Sequence, residues 1–171
     1  MSTKIVTGKV RFSFCNLSKP RVNDQGVEKF GVTIILPKSD KAVYEAIRAA
    51  ENEAARAKFP GKADTFYKAL KSVIHDGDGQ RPNGDDFGPE CKGAWVFTAS
   101  GNDRPGCVDE NTDPLMEPIK SGDYGRVSIN MYGYDTAGNR GVAAGLNNVQ
   151  LLERGESLSG RTDAATDFAQ F

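Results

Sequence analysis

The chain has 171 residues, 38% hydrophobic and 26% charged, which suits one soluble domain with a core that needs no covalent staples. A net charge of −1 excludes a uniformly basic nucleic-acid binder. Three unevenly spaced cysteines, Cys15, Cys91 and Cys107, support neither a disulfide framework nor a zinc site, and point to a reducing cytoplasm.

The opening "MSTKIVTGKV" has no apolar run of signal-peptide length, and no later run reaches membrane-span length. "KIVTGKVRFSFCNL" reads as a first strand, with Val10, Phe12 and Phe14 on one face and Lys9, Arg11 and Ser13 on the other. "NDQG" is turn chemistry, and "EKFGVTIILP" is a second strand closed by Pro37. The period then changes. Ala42, Val43, Ala46, Ile47, Ala50, Ala54 and Ala57 share one helical face between Ser39 and Lys58, with Ser39 or Asp40 as cap. A second amphipathic run is expected from Lys62 to Ile74, the two forming one inserted layer on the sheet. "HDGDGQRPNGDDFGPE" is loop by composition, "GAWVFTAS" a third strand, and residues 109–123 irregular. "YGRVSINMYGYD" is a fourth strand, "TAGNRG" a hairpin turn and "VAAGLNNVQLLE" a fifth strand. From Gly155 no core pattern remains, so residues 1–154 are expected as the domain and 155–171 as a mobile tail.

Five main strands with a helical insertion over about 39–74 predict a mainly β fold, and the OB-fold, a five-stranded Greek-key barrel, fits that count. A β-sandwich is the competitor.

Enzyme signatures are sparse. His75 is the sole histidine, and no phosphate-binding GxxxxGK[ST] loop occurs. "DGDG" falls short of a calcium loop, because Gln80 and Arg81 stand where ligand chemistry is needed. Asp103, Asp109, Glu110 and Asp113 could be imagined as a nuclease centre but lack a basic partner at a telling spacing. No catalytic residue, metal or cofactor is therefore assigned.

The fourth strand is more informative. Val127, Ile129 and Met131 alternate with Arg126, Ser128, Asn130 and Tyr132, and past Gly133 comes Tyr134. Two rings thus stand on the face turned to water, roughly 6–7 Å apart by strand rise. Rings so placed can stack on unpaired bases while Lys and Arg track phosphates; equally, they can pack beneath the tail or the insertion. Trp95 and Phe97 form a similar pair, as plausible in a core as on a platform. Residues 1–38 carry a net charge of +5 against about −2 for each of 39–90, 91–152 and 153–171. That asymmetry hints at a polyanion, although a solvated surface explains it as well. Lys9 and Arg11 are phosphate candidates, with Arg104 and Arg140 in turns. In the tail, Asp163, Asp167, Phe168 and Phe171 can compete for a basic groove or dock in a partner's pocket.

"NDRPGCVD", "YGYDTAGNRGVAAGLNNVQLLERGE" and the closing "DFAQF" resemble a bacteriophage family of single-stranded DNA-binding proteins, long carried under a domain-of-unknown-function label. The order of elements is similar along nearly the whole chain, including "GKVRFSF" and the "HDGD" loop. The resemblance implies an OB-fold that coats phage single strands in replication and recombination, without strong sequence preference and without catalysis. It also implies a C-terminal tail that contacts a phage polymerase, helicase or recombination protein. Self-association stays open. From other classes, the rival readings are a virion structural or protein-interaction module and a phage hydrolase.

Overall fold

A computed structural model describes residues 4–22, 24–80, 84–136, 139–156 and 158. In chain order the elements are β1 (Lys4–Val6), β2 (Val10–Val22), β3 (Glu28–Pro37), α1 (Lys41–Lys58), α2 (Asp64–Ala69), β4 (His75–Asp76), β5 (Ala94–Gly101), β6 (Gly106–Val108), β7 (Tyr124–Thr136) and β8 (Asn139–Glu153).

Antiparallel pairing joins β2 to β3, β3 to β5, and β7 to β8. A parallel pairing joins β5 to β8, and a short antiparallel seam, Val10↔Gly125 and Arg11↔Tyr124, joins β2 to β7. The circuit β2–β3–β5–β8–β7 therefore closes on itself. This is the five-stranded Greek-key barrel of the OB-fold, and the sandwich alternative is excluded because one sheet returns to its first strand. β1 continues the line of β2 along β7 after a break at residues 7–9, so the first predicted strand is two strands. At that break the buried Thr7 N–H donates to the Val127 carbonyl, and the Thr7 hydroxyl accepts from the Val127 N–H.

Inward-facing residues follow the period of two. Phe12, Val32, Ile34, Phe97, Ala99, Val127, Ile129 and Met131 fill the barrel. α1 begins where Asp40 accepts a hydrogen bond from the Val43 N–H, and it places Ile47, Ala50, Ala54 and Ala55 across one end of the barrel. The glycine that interrupts the fourth strand's pattern is explained by this contact. A Cβ on Gly133 would lie 2.5 Å from Lys58 Cβ, so only a glycine admits the helix there.

The second helix is shorter than expected, six residues rather than the run from Lys62 to Ile74. Its downstream segment is recruited elsewhere. The Val73 N–H and the Ser72 hydroxyl donate to the buried carboxylate of Glu51 on α1, and Lys71 bridges to Gly141 on β8. Those tertiary partners outcompete another helical turn.

Gly125 sits at the closing seam, where a Cβ would drive into the Gln150 carbonyl oxygen and stand 2.9 Å from the Phe12 ring. Gly125→Ala is expected to cost about 1–3 kcal/mol or more through overpacking, read as a lower urea midpoint with cooperative unfolding retained.

Candidate nucleic-acid interface

The first strand does not keep its expected face. Its register with β3 shifts between Ser13 and Asn16, and Phe14 adopts φ +48°, in the left-handed region. This bulge turns Phe14 outward, with 61% of its surface exposed, while Phe12 stays in the core and Cys15 and Leu17 resume the inward face. Phe14 is thus corrected from a core position to an exposed one. A phenylalanine in this conformation costs about 1–3 kcal/mol, and its exposed ring returns little of that to the fold.

Phe14 lines a shallow concavity of about 290 Å³ on the outer face of β2, β3 and β5. Its floor is Gly31, Thr33, Thr98 and Ser100, with Arg21 and Lys29 at the β2–β3 hairpin end. The two threonine hydroxyls lie 3.2 Å apart. Register carries this floor around the barrel, as Asn16 pairs with Gly31, Gly31 with Ser100, Ser100 with Gly145, and Gly145 with Asn130. Every outward residue in that row is small or an amide. At its far side stands Tyr132, 43% exposed, whose ring lies 3.5 Å from where a Cβ on Gly145 would be. Two exposed rings therefore flank a shelf of small residues, four strand spacings apart, roughly 19 Å along the curved sheet. Such a surface offers stacking faces and hydroxyls, with cations at the hairpin end.

Tyr134 points the same way as Tyr132 but is half-buried, its hydroxyl leaning over Gly141, the residue opposite it on β8. Arg126 is exposed on the same strand face, and its guanidinium donates to the Thr7 carbonyl, tying down β1.

The other candidates lie apart from the shelf. Trp95 and Phe97 pair with Leu36 and Ile34, so their side chains turn inward. Phe97 is 1% exposed and cannot be a platform, and Trp95 stacks on Tyr44 of α1 at 4.6 Å, with the Lys38 ammonium 4.8 Å from its ring. Their strand's outward residues are Val96, Thr98 and Ser100, the reverse of a Trp95–Phe97 platform.

Lys9 and Arg11 do face outward, but both are engaged around the Tyr124 ring. Lys9 pairs with Glu153 at 2.6 Å, and Arg11 donates to the Gly122 and Glu156 carbonyls. Phe87 and Cys91 cover Ile35 and Val96, separating that cluster from the shelf. Arg104 donates to the Ser18 carbonyl, and Arg140 lies 3.6 Å from Asp135 on the β7–β8 hairpin. Asp163, Asp167, Phe168 and Phe171 lie outside the described residues.

The acidic loops are structural. Lys38 bridges Asp76 and Asp78, whose hydrogen bonds to it hold both carboxyls below the usual range and its own ammonium above. Asp109 accepts from the Asn111 and Asp113 N–H groups and shapes its own turn. No group of three or more acidic, histidine or cysteine side chains among the described residues is placed to hold a metal. Burial, with the Asp123 carboxylate adding to it, pushes the Cys15 thiol up to about 12, and burial also raises Cys107, so both stay protonated at neutral pH.

Closed barrel and helical cap define a protein of the OB-fold class. A family model described as Enterobacter phage Enc34, ssDNA-binding protein matches residues 3–171, and the chain belongs to that family. The phage Enc34 single-stranded DNA-binding protein, solved in complex with ssDNA, is 25% identical, with a TM-score of 0.72 over 91% of this chain and 88% of that one. Protein p50 of Acyrthosiphon pisum secondary endosymbiont phage 1 is 30% identical over 92% of this chain and 87% of its own length. At 16% identity and a TM-score of 0.60, covering 94% of this chain and 97% of the other, gp2.5 of bacteriophage T7 shares the fold.

Replacing Phe14 by Asn, which tolerates the left-handed region, is expected to leave the urea midpoint unchanged or raise it. A loss of about 3–5 kcal/mol, the cost of truncating a core phenylalanine, would return the ring to the core.

Proposed function

We propose that this chain coats single-stranded DNA, with little preference for sequence, during phage replication and recombination in the host cytoplasm. The observation that carries the reading is the shelf between Phe14 and Tyr132. Unpaired bases stack on the two rings, the small residues and threonine hydroxyls between them leave room for any base, and Arg21 and Lys29 meet phosphates at the hairpin end. Family membership and the relative solved with ssDNA support the same reading. No helix among the described residues is long and apolar enough to cross a membrane. The work is binding, with no bond made or broken. In this reading residues 155–171 are a tail whose Asp163, Asp167, Phe168 and Phe171 contact a phage polymerase, helicase or recombination protein.

Anisotropy of a labelled oligonucleotide is the suitable readout, because Trp95 is sandwiched away from the shelf. Oligo-dT is expected to bind at least tenfold more tightly than duplex, with log affinity falling as log salt rises by about 0.7 per phosphate contacted. Phe14→Ala and Tyr132→Ala are each expected to cost about 1–3 kcal/mol of binding. Equal affinity for duplex and single strand, or full binding by both variants, would refute the shelf as the site.

A further inference from the structure

A second charged surface lies where the shelf ends. α1, α2 and the start of β8 enclose a cleft of about 310 Å³. Arg48, Arg56, Lys68 and Lys71 supply four cations to its walls, and Glu51 and Asp64 two carboxylates. The carboxylates are unequal. Glu51 is buried and committed to Arg48, the Ser72 hydroxyl and the Val73 N–H, so its charge is spent inside the fold. Asp64 is largely exposed, and among the described residues its ion-pair partner is Arg56 at 3.2 Å. Lys68 and Lys71 have no ion-pair partner among the described residues. Two lysines thus line an open cleft with no ion pair of their own among the described residues.

The cleft meets the β7–β8 hairpin at Lys71. Lys71 bridges in parallel to Gly141, and the Tyr134 hydroxyl leans over that same glycine. Tyr134, Gly141 and Lys71 therefore lie side by side across the sheet, two residues along β7 from Tyr132. A strand whose bases leave the Tyr132 ring meets Lys71 next, then Lys68. The one ring among the described lining residues, Tyr67, is half-buried, with the Arg56 guanidinium over its face and its hydroxyl donated to the Phe59 carbonyl, so the cleft's chemistry suits a sugar–phosphate backbone and not a base.

We propose that this cleft binds the phosphates of the same single strand as it runs off the Tyr132 end of the shelf. The helical insertion then lengthens the DNA track in addition to closing the barrel. This inference rests on the single-strand reading above, and the test separates the two. The full chain and its Lys68→Ala/Lys71→Ala variant are titrated with labelled oligo-dT of about six nucleotides, near the span of the shelf, and of about twenty, long enough to reach the cleft. A Lys41→Ala/Lys120→Ala variant, with the same change in net charge away from the cleft, is the control.

The variant is expected to lose about tenfold in affinity for the long oligonucleotide at low salt, and its salt slope should become shallower by about 1.4, two phosphate contacts on a single strand. The short oligonucleotide should bind within about twofold of the parent. Both lysines are at the surface, so a thermal melt should coincide with the parent's. Long-strand affinity and slope matching the parent or the control would overturn the inference, as would equal weakening of short and long strands. A parent chain that binds neither oligonucleotide would overturn the single-strand reading itself.

Discussion

The short seam between β2 and β7 is the constraint on which the rest of the molecule depends. Two pairings, Val10↔Gly125 and Arg11↔Tyr124, convert a meander and a hairpin into a closed barrel. Gly125 stands at this seam because a Cβ there would meet the Gln150 carbonyl of β8 and the Phe12 ring of β2. Once the circuit closes, each strand has one face inside and one outside, and the outward row from Asn16 to Asn130 follows from register alone. The same end of the barrel is tied by buried Asp123, which accepts from the Lys120 and Gly155 N–H groups and from Arg154. These bonds hold the end of β8 against the segment leading into β7, so the exit of the chain is set by the closure as well.

In the proposed reading, binding uses the outside of that barrel and stability the inside. The aromatic residues divide accordingly. Phe12 and Phe97 are core, Trp95 is a contact for α1, and Phe14 and Tyr132 are exposed. The cations divide too. Lys9, Arg11, Arg104 and Arg126 are held by carboxylates, carbonyls or the Tyr124 ring, and act as ties between segments. A basic N-terminal third therefore does not translate directly into a basic groove, because Lys9 and Arg11 are committed to the end of β8 and the segment before β7, and Lys38 to Asp76 and Asp78.

Much of the fold was legible from periodicity. The second strand, the first helix with its Asp40 cap, the third to fifth strands, the irregular 109–123 stretch and the barrel itself agree with the pattern, since alternation and helical spacing report burial directly. So did the exposed face of the fourth strand, where Tyr132 stands as its alternation implied. That face could be read because an amphipathic strand in a barrel has only two sides, and its apolar side must go in.

What sequence alone decided was which residues alternate; tertiary structure decided where the alternation breaks and what covers each face. Nothing in "RFSFCNL" marks the bulge that ejects Phe14, because a left-handed residue without glycine leaves no compositional trace and its strain is borne by long-range pairing with β3. Trp95 and Phe97 could not be assigned, since both faces of "AWVFTAS" are apolar. The choice was made by β3, which lays Ile34 and Leu36 beside them, and by the Phe87 loop, which covers Val96. The second helix stopped short for a similar reason, because Glu51 and Gly141 offered its last residues partners that no local pattern encodes. Local periodicity is a property of neighbouring residues, whereas register, bulges and covering loops are set by contacts between residues far apart in the chain, and it is these that build the shelf.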